Sequence, residues 1–527
     1  MPQGENARPA PRSTSGAASS DSSSVLAGSA VSTIVLAAGE GTRMRSATPK
    51  VLHPIAGRPL VEHAVRAAAG TGPDDLVVVI GHGRDAVGEH LAQVSDDLGR
   101  KVHTVVQDRQ LGTGHAVACG LTALANQRQG TVLVSYGDVP LLDTATLTAL
   151  LAEHQERGNA VTVLSAVVDD PTGYGRLVRD EAGQVTGIVE QKDATEAQAA
   201  IGEINSGVYA FDATVLADAL DRLSTDNAQG ELYLTDVLSI ARSDGHPVGA
   251  LVCADTWLVE GVNDRVQLAR LGAELNRRLV LGWMREGVTV TDPASVWLDC
   301  DVSLSRDVTL EPGVQLRGGT TVGEGALIGP DTTLTGCTVH PGSSVVRTHG
   351  EGAEVGPGAS VGPFAFLRPG ARLGEKGKIG TFVEVKNSEI GTGSKVPHLT
   401  YVGDAEIGEG SNIGAASVFV NYDGVAKHRT VIGSHARTGA DNMFVAPVEV
   451  GDGAYTAAGS VITQDVPPGA MAVARGRQRN IEGWVARRRP DTAADQAAQQ
   501  AQERSGSDLT TNPMSDTRST GVNGEGR

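Results

Sequence analysis

Beyond residue 290 the chain repeats itself every six residues, a period that suits neither a helix nor an alternating strand. Leu298, Leu304, Leu310, Leu316, Val322, Ile328 and Leu334 are seven apolar side chains in a row at that spacing. A second run holds Val355, Val361, Leu367, Leu373, Ile379 and Val385, and a third holds Ile432, Thr438, Phe444, Val450, Thr456 and Ile462. Gly or Pro recurs in the gaps, and small residues stand two positions from many of the apolar ones. Helices place apolar positions about 3.6 residues apart and strands about two apart. A short fixed repeat predicts instead a parallel β-helix with tight turns, in which stacking of coils buries the apolar column.

Upstream the pattern is different. From Val31 to about Asp264, apolar strand-like runs (Leu76–Ile80, Val102–Val106, Thr131–Val134, Val161–Leu164) alternate with helical stretches (Leu60–Ala69, Thr144–Glu156). That rhythm predicts an α/β domain of Rossmann-like type with a mostly parallel sheet and ligands at the carboxyl ends of its strands. Leu268, Leu271, Leu275 and Leu279 then predict one amphipathic connecting helix. The expected organisation is a disordered leader over 1–30, the α/β domain over 31–264, a linker helix over 265–289, the repeat domain over 290–484 and a disordered tail over 485–527.

Composition narrows the function. With 527 residues the chain can hold two or more cores, and a net charge of −18 argues against non-specific nucleic-acid binding. No apolar run is long enough to span a membrane, and the Ser-, Ala- and Pro-rich leader lacks the apolar core of a signal peptide. Cys119, Cys253, Cys300 and Cys337 lie far apart without a C-x-x-C pair, so neither a zinc site nor a disulfide framework is expected, and a reducing cytoplasm is the simplest compartment.

The chemistry of the first half starts at Leu36-Ala37-Ala38-Gly39-Glu-Gly41-Thr-Arg43-Met44, followed by Pro49-Lys50. A strand leads into a glycine turn whose backbone can approach an anion, and Arg43 and Lys50 add a forked donor and a mobile charge suited to polyphosphate. It is not a Walker loop, because no Gly-Lys-Ser/Thr closes it, nor a dinucleotide fingerprint, because Met44 replaces the third glycine. Gln107-Asp-Arg-Gln110-Leu-Gly112-Thr113 follows a strand and opens a helix, where a Gln amide could pair with a uracil edge. Asp138, in Tyr136-Gly137-Asp138-Val139-Pro140, stands at a strand end; on its own it reads either as a metal-binding carboxylate or as a helix cap.

In the repeat domain, Pro397-His398-Leu399-Thr400-Tyr401-Val402-Gly403-Asp404 brings an imidazole and a phenol into a pattern that favours small and apolar residues. His398 could accept a proton near neutral pH, Arg368 and Lys386 could hold a phosphate, and Asn412 with Asn421-Tyr422-Asp423 adds polar groups. A single histidine among thirteen is equally a structural or solvent-facing one.

Together with Asp170-Pro-Thr-Gly-Tyr-Gly175-Arg176, Val189-Glu190-Gln-Lys-Asp, Glu203-Ile-Asn205-Ser-Gly207 and Glu260-Gly-Val-Asn263-Asp, these motifs resemble, from about Ile34 to Trp484, the bifunctional N-acetylglucosamine-1-phosphate uridylyltransferase/glucosamine-1-phosphate acetyltransferases of bacterial cell-wall precursor synthesis. The repeats are similar to those of hexapeptide acyltransferases, which implies a left-handed coil. For UDP-N-acetylglucosamine the resemblance implies Leu36, Ala37, Ala38, Gly39, Arg43 and Lys50 at nucleotide and phosphates, Gln107, Gly112 and Thr113 at uridine, and Gly175, Glu190 and Asn205 at the sugar. Tyr136 and Gly137 join that set, and Asp138 and Asn263 match Mg²⁺ ligands. For acetyl transfer it implies Arg368, Lys386, Tyr401 and Asn412 at glucosamine-1-phosphate and His398 as proton acceptor. Ala415, Asn421, Tyr422, Ala440, Ala458 and Arg475 match acetyl-CoA contacts. Ala440 stands where the family commonly has serine, and Ala416-Ser417 where it has Gly-Thr. The family assembles as homotrimers through its β-helices. The alternative is a uridylyltransferase alone, with the repeat domain as oligomerisation scaffold.

Overall fold

The computed structural model describes residues 30–124 and 129–508, and the side chains of all of these but 505–508. The leader expected over 1–30 lies outside the described residues up to residue 29. The N-terminal half is an α/β layer built on one sheet with strand order Val248–Cys253, Val161–Val167, Glu203–Asp212, Thr131–Tyr136, Val31–Ala37, Asp75–Ile80 and His103–Val106. The last four of these run parallel, and only Glu203–Asp212 is antiparallel to both its neighbours. Val31–Ala37 is buried at every position, as a central strand covered on both faces must be, which is why its second half, Ile34–Ala37, is wholly apolar. Its register sets Leu36 opposite Val79 on one side and Tyr136 on the other, so three strands end together under one cleft.

From Thr289 onward the chain coils through three sheets, and through the regular coils each strand pairs in parallel with the third strand after it. Leu298 pairs with Leu316 and then Leu334, Leu304 with Val322, and Leu310 with Ile328, so one coil is three hexads. Every residue of the three apolar runs points inward, none more than 7% exposed. The phase slips where Val322 pairs with Val339 rather than with residue 340, a coil one residue short, which ends the first run. A longer coil, in which Ile407 pairs with Ile432, loops out Asn421–His428 and precedes the third run. Thr438 and Thr456 sit in this core because their hydroxyls accept from the Gly414 and Gly439 amides, at 2.8 and 3.1 Å. This is the parallel β-helix expected of left-handed hexapeptide coils.

The helix Arg265–Arg285 joins the two halves, capped by Asp264, whose carboxylate accepts from the Val266 and Gln267 amides. Buried Asn276 bonds both ways to the first coil, donating to the Val296 carbonyl (2.7 Å) and accepting from the Leu298 amide (2.9 Å). Arg58 reaches across to Asp301, and the Cys300 amide donates to the Ala56 carbonyl. One expectation fails in part: within the expected tail, residues 485–508 are not without structure, because helices span Trp484–Arg488 and Ala493–Asp508, while 509–527 lie outside the described residues. The Ala- and Gln-rich stretch has good helix propensity, and Thr492 accepts from the Asp495 amide while the Asp495 carboxylate accepts from the Asp491 amide.

Phe419 and Phe444 pack against each other in successive coils, both fully buried, with ring centroids 5.0 Å apart and planes tilted by 41°. Phe419→Ala is expected to destabilise the β-helix by about 3–5 kcal/mol in denaturant unfolding. Bonds from Arg277 and Arg278 hold the Glu274 carboxyl down at about 2 against an ordinary 4.5. A lowered carboxyl gives stability above its unfolded value and loses it as pH falls toward the folded one. Glu274→Gln is therefore expected to flatten the loss of stability between pH 4.5 and 2, read as the thermal midpoint against pH.

Candidate active sites

At the carboxyl ends of the parallel strands lies a cleft of about 300 Å³ lined by Leu36, Ala37, Ala38, Gly39, Lys50, Gln107, Gly112, Thr113, Tyr136 and Asp138. Residues drawn from three separate motifs thus share one cavity. Lys50 donates to the Asp138 carboxylate, and Arg43 donates to the Asn263 amide oxygen at 2.8 Å. The Val262 amide donates to the Asp138 carbonyl at 2.8 Å, which brings the Asp138 and Asn263 loops together. Asp138 is not a helix cap: Asp143 caps the following helix, accepting from the Thr146 amide. Among the described residues no three His, Cys, Asp or Glu side chains cluster as a metal site.

The floor of the cleft is set by local geometry. Gly112 has φ 108°, and a β-carbon there would lie 2.6 Å from the Leu232 carbonyl oxygen. The Thr113 hydroxyl accepts from the Leu234 amide at 3.1 Å, and the Gln107 amide group donates to the Gly112 carbonyl at 3.1 Å. Gln110 and Glu231 also line the cleft but lay outside the expected site. Gln110 donates to the Ala38 carbonyl at 2.9 Å and so holds the glycine turn. Beside the cleft, Gly175 pairs with Asn205 across two strands and borders the Glu190 carboxylate. Burial pushes the Glu190 carboxyl up, against a hydrogen bond from Thr235, and burial raises the Tyr136 phenol. Gly137 donates its amide to the Leu36 carbonyl, tying the two strand ends.

On the β-helix, Arg368 and Lys386 follow the paired core residues Leu367 and Val385 in adjacent coils and so share one outer column. Lys386 donates to both Asp404 oxygens, at 3.0 and 3.1 Å, and Arg368 donates to Glu384 at 3.0 Å. Asp404 also accepts from Asn387 (2.7 Å) and from Asn421, whose amide lies 3.4 Å from the Tyr401 hydroxyl. The hydrogen bond to Asp404 raises the Lys386 ammonium, while Lys386 and Arg368 lower neighbouring Lys427. Three cations thus converge on one outer patch. Asp404 and Lys427 were not among the expected site residues. Asp404 closes the quoted His398 motif, but nothing in the spacing places Lys427 beside Lys386 across the looped-out coil.

The remaining expected residues are spread along the coils. His398 ends the strand Lys395–His398 opposite Thr381 and is exposed, its carbonyl accepting from the Ala416 amide at 3.1 Å. Asn412 bridges Lys395 and Arg437 in the neighbouring coils. The Ala415 carbonyl accepts from the Asp441 amide (2.7 Å) and the Ala440 carbonyl from the Gly459 amide (2.9 Å), so Ala415, Ala440 and Ala458 line one corner. Arg475 passes beside Gly459, and exposed Tyr422 donates to the Gly424 carbonyl. Among the described residues, no hydrogen bond or ion pair joins His398 or Arg475 to the Lys386 patch.

A β-carbon on Gly403 would lie 2.3 Å from the Tyr401 hydroxyl and 2.8 Å from the Asn421 amide. Gly403→Ala is therefore expected to displace Tyr401 and Asn421 while the fold persists. The check is a changed near-ultraviolet circular dichroism band with an unfolding midpoint within a few degrees of wild type.

A nucleotidyl transferase family model matches residues 32–298. The bifunctional protein GlmU of Corynebacterium glutamicum is 60% identical over 469 residues, covering 89% of this chain and 96% of that one. That of Mycolicibacterium gilvum is 60% identical over 466 residues (88% and 94%), and that of Corynebacterium jeikeium 59% over 485 (92% and 99%). With such identity over nearly the full length of each relative, reaching from the cleft to the coils, the chain belongs to the GlmU family of bifunctional proteins.

Proposed function

We propose that the cleft and the coil patch divide a two-step synthesis of UDP-N-acetylglucosamine. The β-helix transfers acetyl from acetyl-CoA to the amine of glucosamine-1-phosphate, and the α/β domain transfers uridylyl from UTP to that product, releasing pyrophosphate. The observation that carries this reading is the convergence of Arg368, Lys386 and Lys427 on the outside of a solenoid. Asp404 and Glu384 balance two of the three, so the set carries one cation in excess, and forked and pointed donors gathered together suit a phosphate better than they suit an oligomerisation scaffold.

For acetyl transfer, Arg368, Lys386 and Lys427 would hold the sugar phosphate, with Tyr401 and Asn412 orienting the ring. The free amine attacks the thioester carbonyl, a C–N bond forms, the C–S bond breaks, and His398 takes the amine proton. The corner of Ala415, Ala440 and Ala458 gives acetyl-CoA backbone groups rather than hydroxyls, so the absence of a serine at 440 leaves amide donors to polarise the thioester. Asn421, Tyr422 and Arg475 would complete that site.

For uridylyl transfer, Gln107, Gly112 and Thr113 would hold the uracil, and Glu190, Asn205 and Gly175 the sugar. A sugar-phosphate oxygen attacks the α-phosphorus in line, so the protein's task is positioning and charge neutralisation. Asp138 and Asn263 are hard oxygen donors held side by side, a set that fits Mg²⁺. Bound there, the ion would supply further neutralisation of phosphate charge. Lys50 and Arg43, now paired with those same oxygens, would turn to the phosphates.

The reading extends to a cytoplasmic homotrimer packed along the β-helices. Phe364 and Phe382 stack at one exposed corner, centroids 5.4 Å apart, with exposed Leu399 next along it, an apolar ridge that such packing would cover. His398→Ala is expected to lower thiol release from acetyl-CoA at least ~100-fold and leave pyrophosphate release intact. Asp138→Ala is expected to do the reverse. Loss of both activities in either variant would refute two separate sites.

A further inference from the structure

A second cleft, about 610 Å³ and so twice the volume of the nucleotide cleft, lies where the two halves meet. The hairpin at Pro54–Ile55, the connecting helix and the first coils form its walls. Ile55, Leu268 and Trp297 give it an apolar side, and the Trp297 ring is left 46% exposed although it stands at a domain junction. Arg265 and Arg317 give it a cationic side. Asp299, the only carboxylate in the lining, already accepts from the Gly318 amide at 3.1 Å. Asn276 has both ends of its amide committed to the backbone, and Arg317 donates to the Gln315 amide oxygen at 2.5 Å, so the donors left in the lining are the remaining N–H groups of the two guanidiniums and the Gln315 amide. An open aromatic face beside two cations suits a flat organic acid.

The cleft is wired to the nucleotide site through one of those cations. Arg265 Nε donates to the Met44 carbonyl at 3.1 Å, and the preceding residue, Arg43, donates to Asn263. The hairpin wall begins directly after the turn Lys50–Leu52 that carries Lys50. An anion in the cleft competes with the Met44 carbonyl for the Arg265 guanidinium and so loosens the segment that carries Arg43. We propose that this interdomain cleft is an effector site for a small aromatic anion, its ring against Trp297 and its acid group between Arg265 and Arg317, and that occupancy changes the affinity of the α/β domain for UTP. The binding claim stands on the cleft alone; the effect on UTP rests on the uridylyl site proposed above.

The probe is 8-anilinonaphthalene-1-sulfonate, titrated by fluorescence into the full-length protein with thiol release and the thermal midpoint read in every sample. One dye is expected to bind per chain, unaffected by acetyl-CoA, with UTP shifting its Kd by a factor that levels off at saturating UTP. Arg317→Glu is expected to weaken it at least tenfold, and Ala269→Trp, which fills the cleft from the helix side, to abolish it, both with thiol release unchanged. Dye that persists in both variants, or whose apparent Kd rises with UTP without levelling off as for a simple competitor, would overturn the site. If dye binds as expected but KM for UTP in pyrophosphate release is unmoved at saturation, the site stands and its coupling is refuted. If pyrophosphate release is absent altogether, the uridylyl reading fails and the dye stoichiometry still decides the cleft.

Discussion

The parallel ladder between successive coils is the constraint from which the second half follows. Strand amides of one coil donate to carbonyls of the next, as Trp297 to Val314 and Asp299 to Leu316, which sets Leu298 over Leu316, so a residue's position in the hexad decides whether it faces the core or solvent. Shifting a strand by one residue would reverse its faces. The fold therefore tolerates a shortened coil at Val339 and a widened one at Ile432 only because the missing or extra residues fall in turns. The widened coil brings Asn421 to Asp404 and Lys427 to Lys386, so an irregularity in the repeat completes the polar patch that the regular repeat could only begin.

The same logic of aligned ends builds the first site. Parallel strands Val31–Ala37, Asp75–Ile80 and Thr131–Tyr136 finish level with one another, and the turns beyond them meet. The Gly112 turn, the Gln110 brace on Ala38 and the Gly137 bond to Leu36 then fix the lining with backbone groups. The two sites are separate in space and in architecture, and the helix Arg265–Arg285 with its Asn276 bonds makes them parts of one molecule.

Much of this was legible before any coordinates. The hexad runs predicted the buried columns without exception, and the alternation of runs upstream predicted the sheet, because both depend on local spacing. The site was legible where residues lie in one motif, as in the turn from Leu36 to Lys50. What spacing could not reach was contact between distant segments: Gln110 with Ala38, Glu231 at the cleft, Lys427 beside Lys386, Asp404 as the shared acceptor. Whether Asp138 was a cap or a site carboxylate was also undecidable locally, since the answer lies in Asp143 taking the capping role. The helix after Thr492 escaped because a polar, Ala- and Gln-rich composition suits a helix as well as a disordered tail.

The pairings of Lys50 with Asp138 and Arg43 with Asn263 have a consequence for the protein at rest. A cleft shaped for a polyanion would, if its cations stood alone, be a pocket of repulsion and a weak point in the sheet's open end. Here Lys50 is held by a carboxylate and Arg43 by an amide oxygen, so each has a fixed partner and only the lysine has its charge answered. An anion drawing on both would break two bonds of unequal strength, giving up an ion pair at Lys50 and a hydrogen bond alone at Arg43.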